Sequence, residues 1–93
     1  MRKQFLIALV SVVLGSGLLS AQGRETLDVY VVDTEGGNAT LFVTPSGASV
    51  LIDAGNGGAN SARDVGRIME AVQDAGLTQI DHYVTTHWHG DHF

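Results

Sequence analysis

The chain has 93 residues, of which 44% are hydrophobic and none is cysteine, so it can form at most one small domain and no disulfide framework. The chain has ten acidic residues and five lysines and arginines, which gives a formal net charge of −5. An acidic balance of this kind argues against a broad nucleic-acid-binding surface.

The first 23 residues have the layout of a secretory signal peptide. Arg2 and Lys3 precede an apolar run at residues 5–14, and many small residues follow as far as Gly23. The apolar run is short for a membrane span, which needs roughly 20 residues. We therefore predict export to the periplasm or the extracellular space, with cleavage after Ala21 or Gly23 and no membrane contact afterwards. An N-terminal membrane anchor is the alternative.

Residues 24–93 would form the mature part of this chain. They carry three arginines against ten carboxylates, a net charge of −7. Segments rich in β-branched and aromatic residues predict three strands, at residues 27–33, 39–44 and 48–53. Turns separate them, the first at residues 34–38 with two glycines and the second at Pro45-Ser46-Gly47.

A helix is predicted after the glycine-rich residues 54–59. Ser61 and Asp64 have the spacing of a capping box, and Gly76 is a natural C-terminal stop. The apolar face that should pack into the core consists of Val65, Ile68, Met69 and Val72. A fourth strand at residues 79–85 follows, so the predicted order is β-β-β-α-β.

The run Thr86-His-Trp-His-Gly-Asp-His92 follows that strand directly. Imidazole nitrogens and carboxylate oxygens are ligands that zinc binds readily. If His87 and His89 end a strand, their spacing points both rings to one side, while Asp91 and His92 lie on the next turn. We interpret the run as a metal site rather than a polar surface loop. His82, on the preceding strand, is expected to be structural or solvent-facing.

This run resembles the metal-binding motif of the metallo-β-lactamase superfamily. Residues 51–55, Leu-Ile-Asp-Ala-Gly, are similar to the family's first motif. The resemblance implies an α/β (α+β) fold, the N-terminal part of an αββα sandwich. It implies that His87 and His89 bind a first metal ion and that Asp91 and His92 bind a second. Asp53 would support the metal loop from behind.

The resemblance also implies an activity, that of an exported metal-dependent hydrolase. One or two zinc ions, with iron or manganese as alternatives, would activate water against a small-molecule or phosphodiester substrate with an ester, phosphodiester or lactam bond. Asp91 would act in catalysis by orienting the nucleophile or moving its proton. The turn at residues 33–40 is similar to the start of the hydrolase domain of the DNA-uptake competence protein, which suggests that subgroup.

Two other functions stay open. The first is a non-catalytic metal-binding fragment or module, and the second is a di-iron redox protein of the same fold. The family's remaining ligands, another histidine, a bridging aspartate and a final histidine, lie downstream of the motif. We therefore expect residues 24–93 to be a truncated N-terminal portion of the domain, poorly folded and inactive alone.

Overall fold

A computed structural model describes residues 24–93. The predicted signal peptide, residues 1–23, lies outside the described residues. Among residues 24–93 no helix combines the length and the apolar character that crossing a membrane requires.

Four short strands form one mixed sheet in the order β1-β2-β3-β4. In chain order, β1 is Asp28–Val31, β2 is Thr40–Val43, β3 is Ser49–Ile52 and β4 is His82–Val84. The first three strands pair antiparallel, and β3 pairs parallel with β4. Each strand lies inside its predicted segment but is shorter, because the ends of the predicted segments belong to the turns.

The connection between β3 and β4 contains the helix. A three-residue 3-10 helix, Gly58–Asn60, leads into the α-helix α1, Ser61–Asp74. The capping-box prediction is wrong, because Asn60 is the N-cap residue and no side chain caps the helix start. Asp64 instead turns into the protein, where it is fully buried. Gly76 follows the helix with a φ of +70°, as its predicted role as a stop requires.

The hydrophobic core lies between α1 and one face of the sheet. Its buried residues are Val32, Ala39, Leu41, Val43, Leu51, Ile68, Ala71, Val72 and Ala75. Of the four helix residues predicted to face the core, Ile68 and Val72 are buried. The prediction is wrong for Val65 and Met69, which remain 52% and 45% exposed. The buried stripe runs through Ile68, Ala71, Val72 and Ala75, at a spacing of three or four residues, and Val65 and Met69 lie at its edge.

The opposite face of the sheet is also rich in apolar side chains. Val29, Val31 and Val84 lie on it and are 46–79% exposed. The sheet thus has two apolar faces, of which α1 covers one. Together with the element order β-β-β-α-β, this confirms the predicted fold class, the N-terminal part of a metallo-β-lactamase-type sandwich.

Candidate metal centre

The parallel pairing of β3 and β4 brings the first motif and the histidine motif to the same edge of the sheet. Ile52 is in register with Val84, and the backbone N–H of Asp53 donates to the carbonyl of Val84 at 2.8 Å. The chain leaving β3 therefore runs beside the chain leaving β4. Since the carboxyl ends of parallel strands meet at one edge, residues far apart in sequence can share a site there.

Asp53 stands at the end of β3 with a buried carboxylate, 1% exposed. Its Oδ1 accepts from the backbone N–H of Thr86 at 2.8 Å. Its Oδ2 accepts from the Thr86 hydroxyl at 2.8 Å, from His92 Nδ1 at 2.7 Å and from Asn38 Nδ2 at 3.4 Å. Burial alone would raise the pKa of Asp53, but these hydrogen bonds outweigh it and hold that pKa well below its usual range.

The backbone of Asp53 is unusual as well, with a φ of +61°. Aspartate and asparagine adopt this left-handed region more readily than other side chains that carry a Cβ. The residue type at this position is therefore set both by the turn that leaves β3 and by the donors around the carboxylate.

Three side chains of the histidine motif form one cluster of metal-ligating groups. His87, Asp91 and His92 each present a ligand atom, and these atoms lie within 4.8 Å of one another. His92 Nε2 is 3.6 Å from Asp91 Oδ1, and the ring centroids of His87 and His92 are 3.9 Å apart. An ion placed among them would meet two imidazole nitrogens and a carboxylate oxygen, a donor set that suits zinc.

The hydrogen bonds of the two imidazoles leave one nitrogen of each available. Nδ1 of His92 is taken by Asp53, and Nδ1 of His87 lies 3.0 Å from the Thr86 hydroxyl. In both rings Nε2 is the nitrogen left for an ion. A carboxylate that holds the far side of a ligand imidazole is the usual support of a protein metal site, and it fixes the ring orientation and tautomer. The residues present therefore fit a metal ion.

His89 lies beside this cluster but not in it. Its ring centroid is 4.7 Å from that of His87, in an edge-on arrangement, while its carbonyl accepts from the N–H of His92 at 3.0 Å. The family assignment, which pairs His87 with His89 and Asp91 with His92, stays a prediction for all four residues. His82 is exposed on β4 and stands outside the cluster, as expected.

Two glycine-containing segments hold the backbone of the metal loop, defined here as residues 85–92. The turn at residues 34–38 donates from the N–H of Asn38 to the carbonyl of Asp91 at 3.3 Å. The segment 54–57 donates from Ala54 to the carbonyl of His92 at 2.8 Å and from Gly57 to that of Gly90 at 2.9 Å. The loop that carries the ligands is thus fixed by two other loops and by Asp53.

Asp64 belongs to the same region, although its sequence position predicted only a capping residue. Its carboxylate accepts from Arg63 Nε at 2.9 Å and from the N–H and side-chain amide of Asn56 at 2.7 and 3.1 Å. The Arg63 guanidinium and the Asn56 backbone N–H lower the pKa of Asp64 to about 2, although burial opposes them. An aspartate in the first turn of a helix is ordinarily a capping residue, and only the three-dimensional fold shows that this one points inward.

This pKa predicts a stability effect at acid pH. Because the folded-state pKa of about 2 lies below the ordinary value of 3.8, ionised Asp64 stabilises the fold above pH 3.8, and that contribution disappears as the pH falls toward 2. We expect the gap in denaturation midpoint between the wild type and Asp64→Asn to be widest at pH 6 and to narrow steadily below pH 4. Glu70→Gln, which alters an exposed carboxylate of the same helix, should keep the wild-type acid dependence. A gap between wild type and D64N that stays constant from pH 6 to pH 3 would contradict the prediction.

Comparison with known proteins gives one family. The model of the metallo-beta-lactamase superfamily matches residues 32–93, well over half of the chain. No curated protein and no solved structure matches the chain. The matched region contains β2, β3, α1, β4, Asp53 and the whole histidine motif. Members of this superfamily are mostly hydrolytic metalloenzymes, and the metal they bind is usually zinc. The match, the fold and the cluster of ligands agree, and the chain belongs to the metallo-beta-lactamase superfamily.

Proposed function

We propose that this protein is an exported metal-dependent hydrolase that uses metal-activated water to cleave an ester, phosphodiester or lactam-type bond. The observation that carries the proposal is the cluster of His87, Asp91 and His92, with the buried Asp53 behind it. Three convergent ligands with a hydrogen-bonded carboxylate behind one of them form a site for metal rather than a polar loop. Export is proposed from the sequence of residues 1–23.

Each residue of the cluster has a definite task in this proposal. Asp53 holds His92 with Nε2 facing the cluster, and Thr86 donates to Asp53 while its hydroxyl contacts His87. A zinc ion bound there would lower the pKa of its water from 15.7 to about 7 and polarise the bond under attack. The side chain of Asp91 is 42% exposed, so its carboxylate can bind the ion and still accept a proton from water or orient it.

The activity of the site depends on further ligands that the resemblance places after the motif. We therefore expect hydrolysis only from protein in which those ligands are present. Protein expressed from the complete reading frame is the material in which activity is to be measured.

The test removes one ligand and compares it with a histidine outside the cluster. After dialysis against zinc, wild-type protein and His82→Ala should retain the same metal content and hydrolyse at least one of a chromogenic ester, a phosphodiester and a β-lactam. His92→Ala should lose both the bound metal and the turnover, because it removes a ligand and leaves Asp53 without its imidazole partner. Equal metal content in H92A and H82A would overturn the assignment of the site.

The same experiment separates the alternatives. Retained metal without turnover of any substrate would favour a non-catalytic metal-binding module. Visible absorbance of the purified protein would indicate iron and the redox alternative.

The mass of the secreted protein tests export, since cleavage after Ala21 or Gly23 would leave Gln22 or Arg24 at the N-terminus. Uncleaved protein in the cytoplasm would contradict export.

A further inference from the structure

We propose that Asp64 is a positioning residue of the metal centre, although it contacts none of the candidate ligands. Its buried carboxylate on α1 joins the two segments that hold the backbone of the metal loop, residues 34–38 and 54–57. The inference rests on the proposed function, because it assigns Asp64 a role at that same metal site.

Asp64 contacts segment 54–57 directly. Asp64 Oδ2 accepts from both the backbone N–H and the side-chain amide of Asn56, at 2.7 and 3.1 Å. The carboxylate also packs against Gly55, where a Cβ atom would lie only 2.7 Å from Oδ2. A segment without regular hydrogen bonding is thus fixed to the helix by a fully buried group.

Asp64 is connected to the turn 34–38 through Asn56 and Arg63. The Asn56 side-chain amide that donates to Asp64 also donates to the carbonyl of Glu35, at 2.8 Å. Arg63, which donates from Nε to Asp64, places Nη1 2.7 Å from a carboxylate oxygen of Glu35. Asp64 therefore orients Asn56, which ties the turn to segment 54–57, and Arg63, which ties the turn to α1.

Both segments in turn contact the backbone of the metal loop, which carries the candidate ligands. Segment 54–57 donates to the carbonyls of Gly90 and His92, and the turn donates to the carbonyl of Asp91. In addition, the N–H of Gly55 donates to the carbonyl of Asn38 at 2.9 Å, which joins the two segments directly. A shift of segment 54–57 therefore moves the backbone of His92, and a shift of the turn moves that of Asp91. Metal affinity is sensitive to such small errors in ligand position.

These hydrogen bonds require a charged carboxylate at position 64. Both oxygens of Asp64 accept hydrogen bonds, one from Arg63 and the other from two donors of Asn56. An asparagine has one acceptor oxygen and an NH₂ group, so in either orientation its NH₂ group faces an N–H donor of Arg63 or of Asn56. Asp64→Asn keeps the shape of the side chain but breaks one side of the junction.

The experiment compares zinc affinity in four proteins expressed from the complete reading frame: wild type, Asp64→Asn, Asn56→Ala and Ser49→Ala. Ser49 is the matched control, since it is fully buried and hydrogen-bonds Asp81 at the other end of β3. Zinc titrations at pH 7 would be followed by calorimetry and by the fluorescence of Trp88, the only tryptophan, which lies within the motif. Thermal melts without metal would report stability separately.

We expect D64N and N56A to weaken zinc binding by about 10-fold, the lower end of what loss of a ligand-supporting contact costs. S49A should lower the melting temperature and leave zinc affinity unchanged. If D64N does not fold, N56A alone decides, because it leaves the buried carboxylate in place and removes only the bridge. Wild-type affinity in N56A, or an equal loss of affinity in S49A, would overturn the inference while the proposed function stands. Wild-type protein that binds no zinc would overturn both.

Discussion

Gly37→Ala should weaken metal binding strongly, whereas Gly36→Ala should leave it nearly intact. The two glycines are neighbours in the same turn with similar left-handed backbones, φ +63° and +73°. A side chain in this region costs roughly 1–2 kcal/mol at either position. The space around them differs. A Cβ at Gly37 would lie 1.7 Å from the carbonyl oxygen of Asp91, and one at Gly36 has only Asp91 Oδ2 within reach, at 3.9 Å.

The clash at Gly37 is with backbone, so no rotation of a side chain can relieve it. Either the turn or the metal loop must move, and the hydrogen bond from Asn38 to Asp91 is lost in both cases. We expect G37A to weaken zinc binding by about 100-fold, the upper end for loss of a ligand-supporting contact. Zinc titration of wild type, G36A and G37A measures this. Similar affinities in the two variants would show that the turn does not position Asp91.

The sequence predicted the elements because their patterns are local. The strands predicted at residues 39–44 and 48–53 combine β-branched residues with flanking turns, and the helix is followed by Gly76, whose φ is positive as expected. The histidine motif could be singled out because clustered ligand residues carry a chemical meaning of their own, and Asp53 because residues 51–55 resemble the first motif of the family. The resemblance then supplied the fold that brings them together.

The parts that the sequence did not predict depend on long-range contacts. Asp64 stands where a capping residue belongs, and nothing near it in sequence indicates that it will turn inward to Asn56. Met69 and Ala71 are both apolar residues of α1 but lie on different sides of the helix, and only the orientation of the helix on the sheet decides that Ala71 is buried and Met69 is not. The clustering of His87 with Asp91 and His92, and not with His89, follows from the path of the loop, which spacing alone does not determine.

The other large effect is expected at Asp53, where Asp53→Asn should weaken zinc binding by 10-fold to about 100-fold. Asparagine fits the left-handed backbone and the volume of the side chain. It cannot replace the acceptors, because Oδ1 receives one donor and Oδ2 receives three. At the Oδ1 position its NH₂ group faces the N–H of Thr86, and at the Oδ2 position it faces the amide of Asn38 and cannot accept from His92 Nδ1. Leaving buried donors unpaired should also lower the free energy of unfolding by about 1–3 kcal/mol.

Asp81→Asn separates the loss of affinity from the loss of stability. Asp81 also accepts from several donors, the N–H and hydroxyl of Ser49 and the side-chain amide of Gln79, but at the end of β3 opposite to the site. D81N should destabilise the fold and bind zinc as wild type does. D53N should lose affinity because the imidazole of His92 is no longer held with Nε2 toward Asp91. Zinc titrations and urea denaturation of both variants give the comparison. If D53N binds zinc as tightly as D81N, the buried carboxylate stabilises the sheet edge alone and the ligands need no support from it.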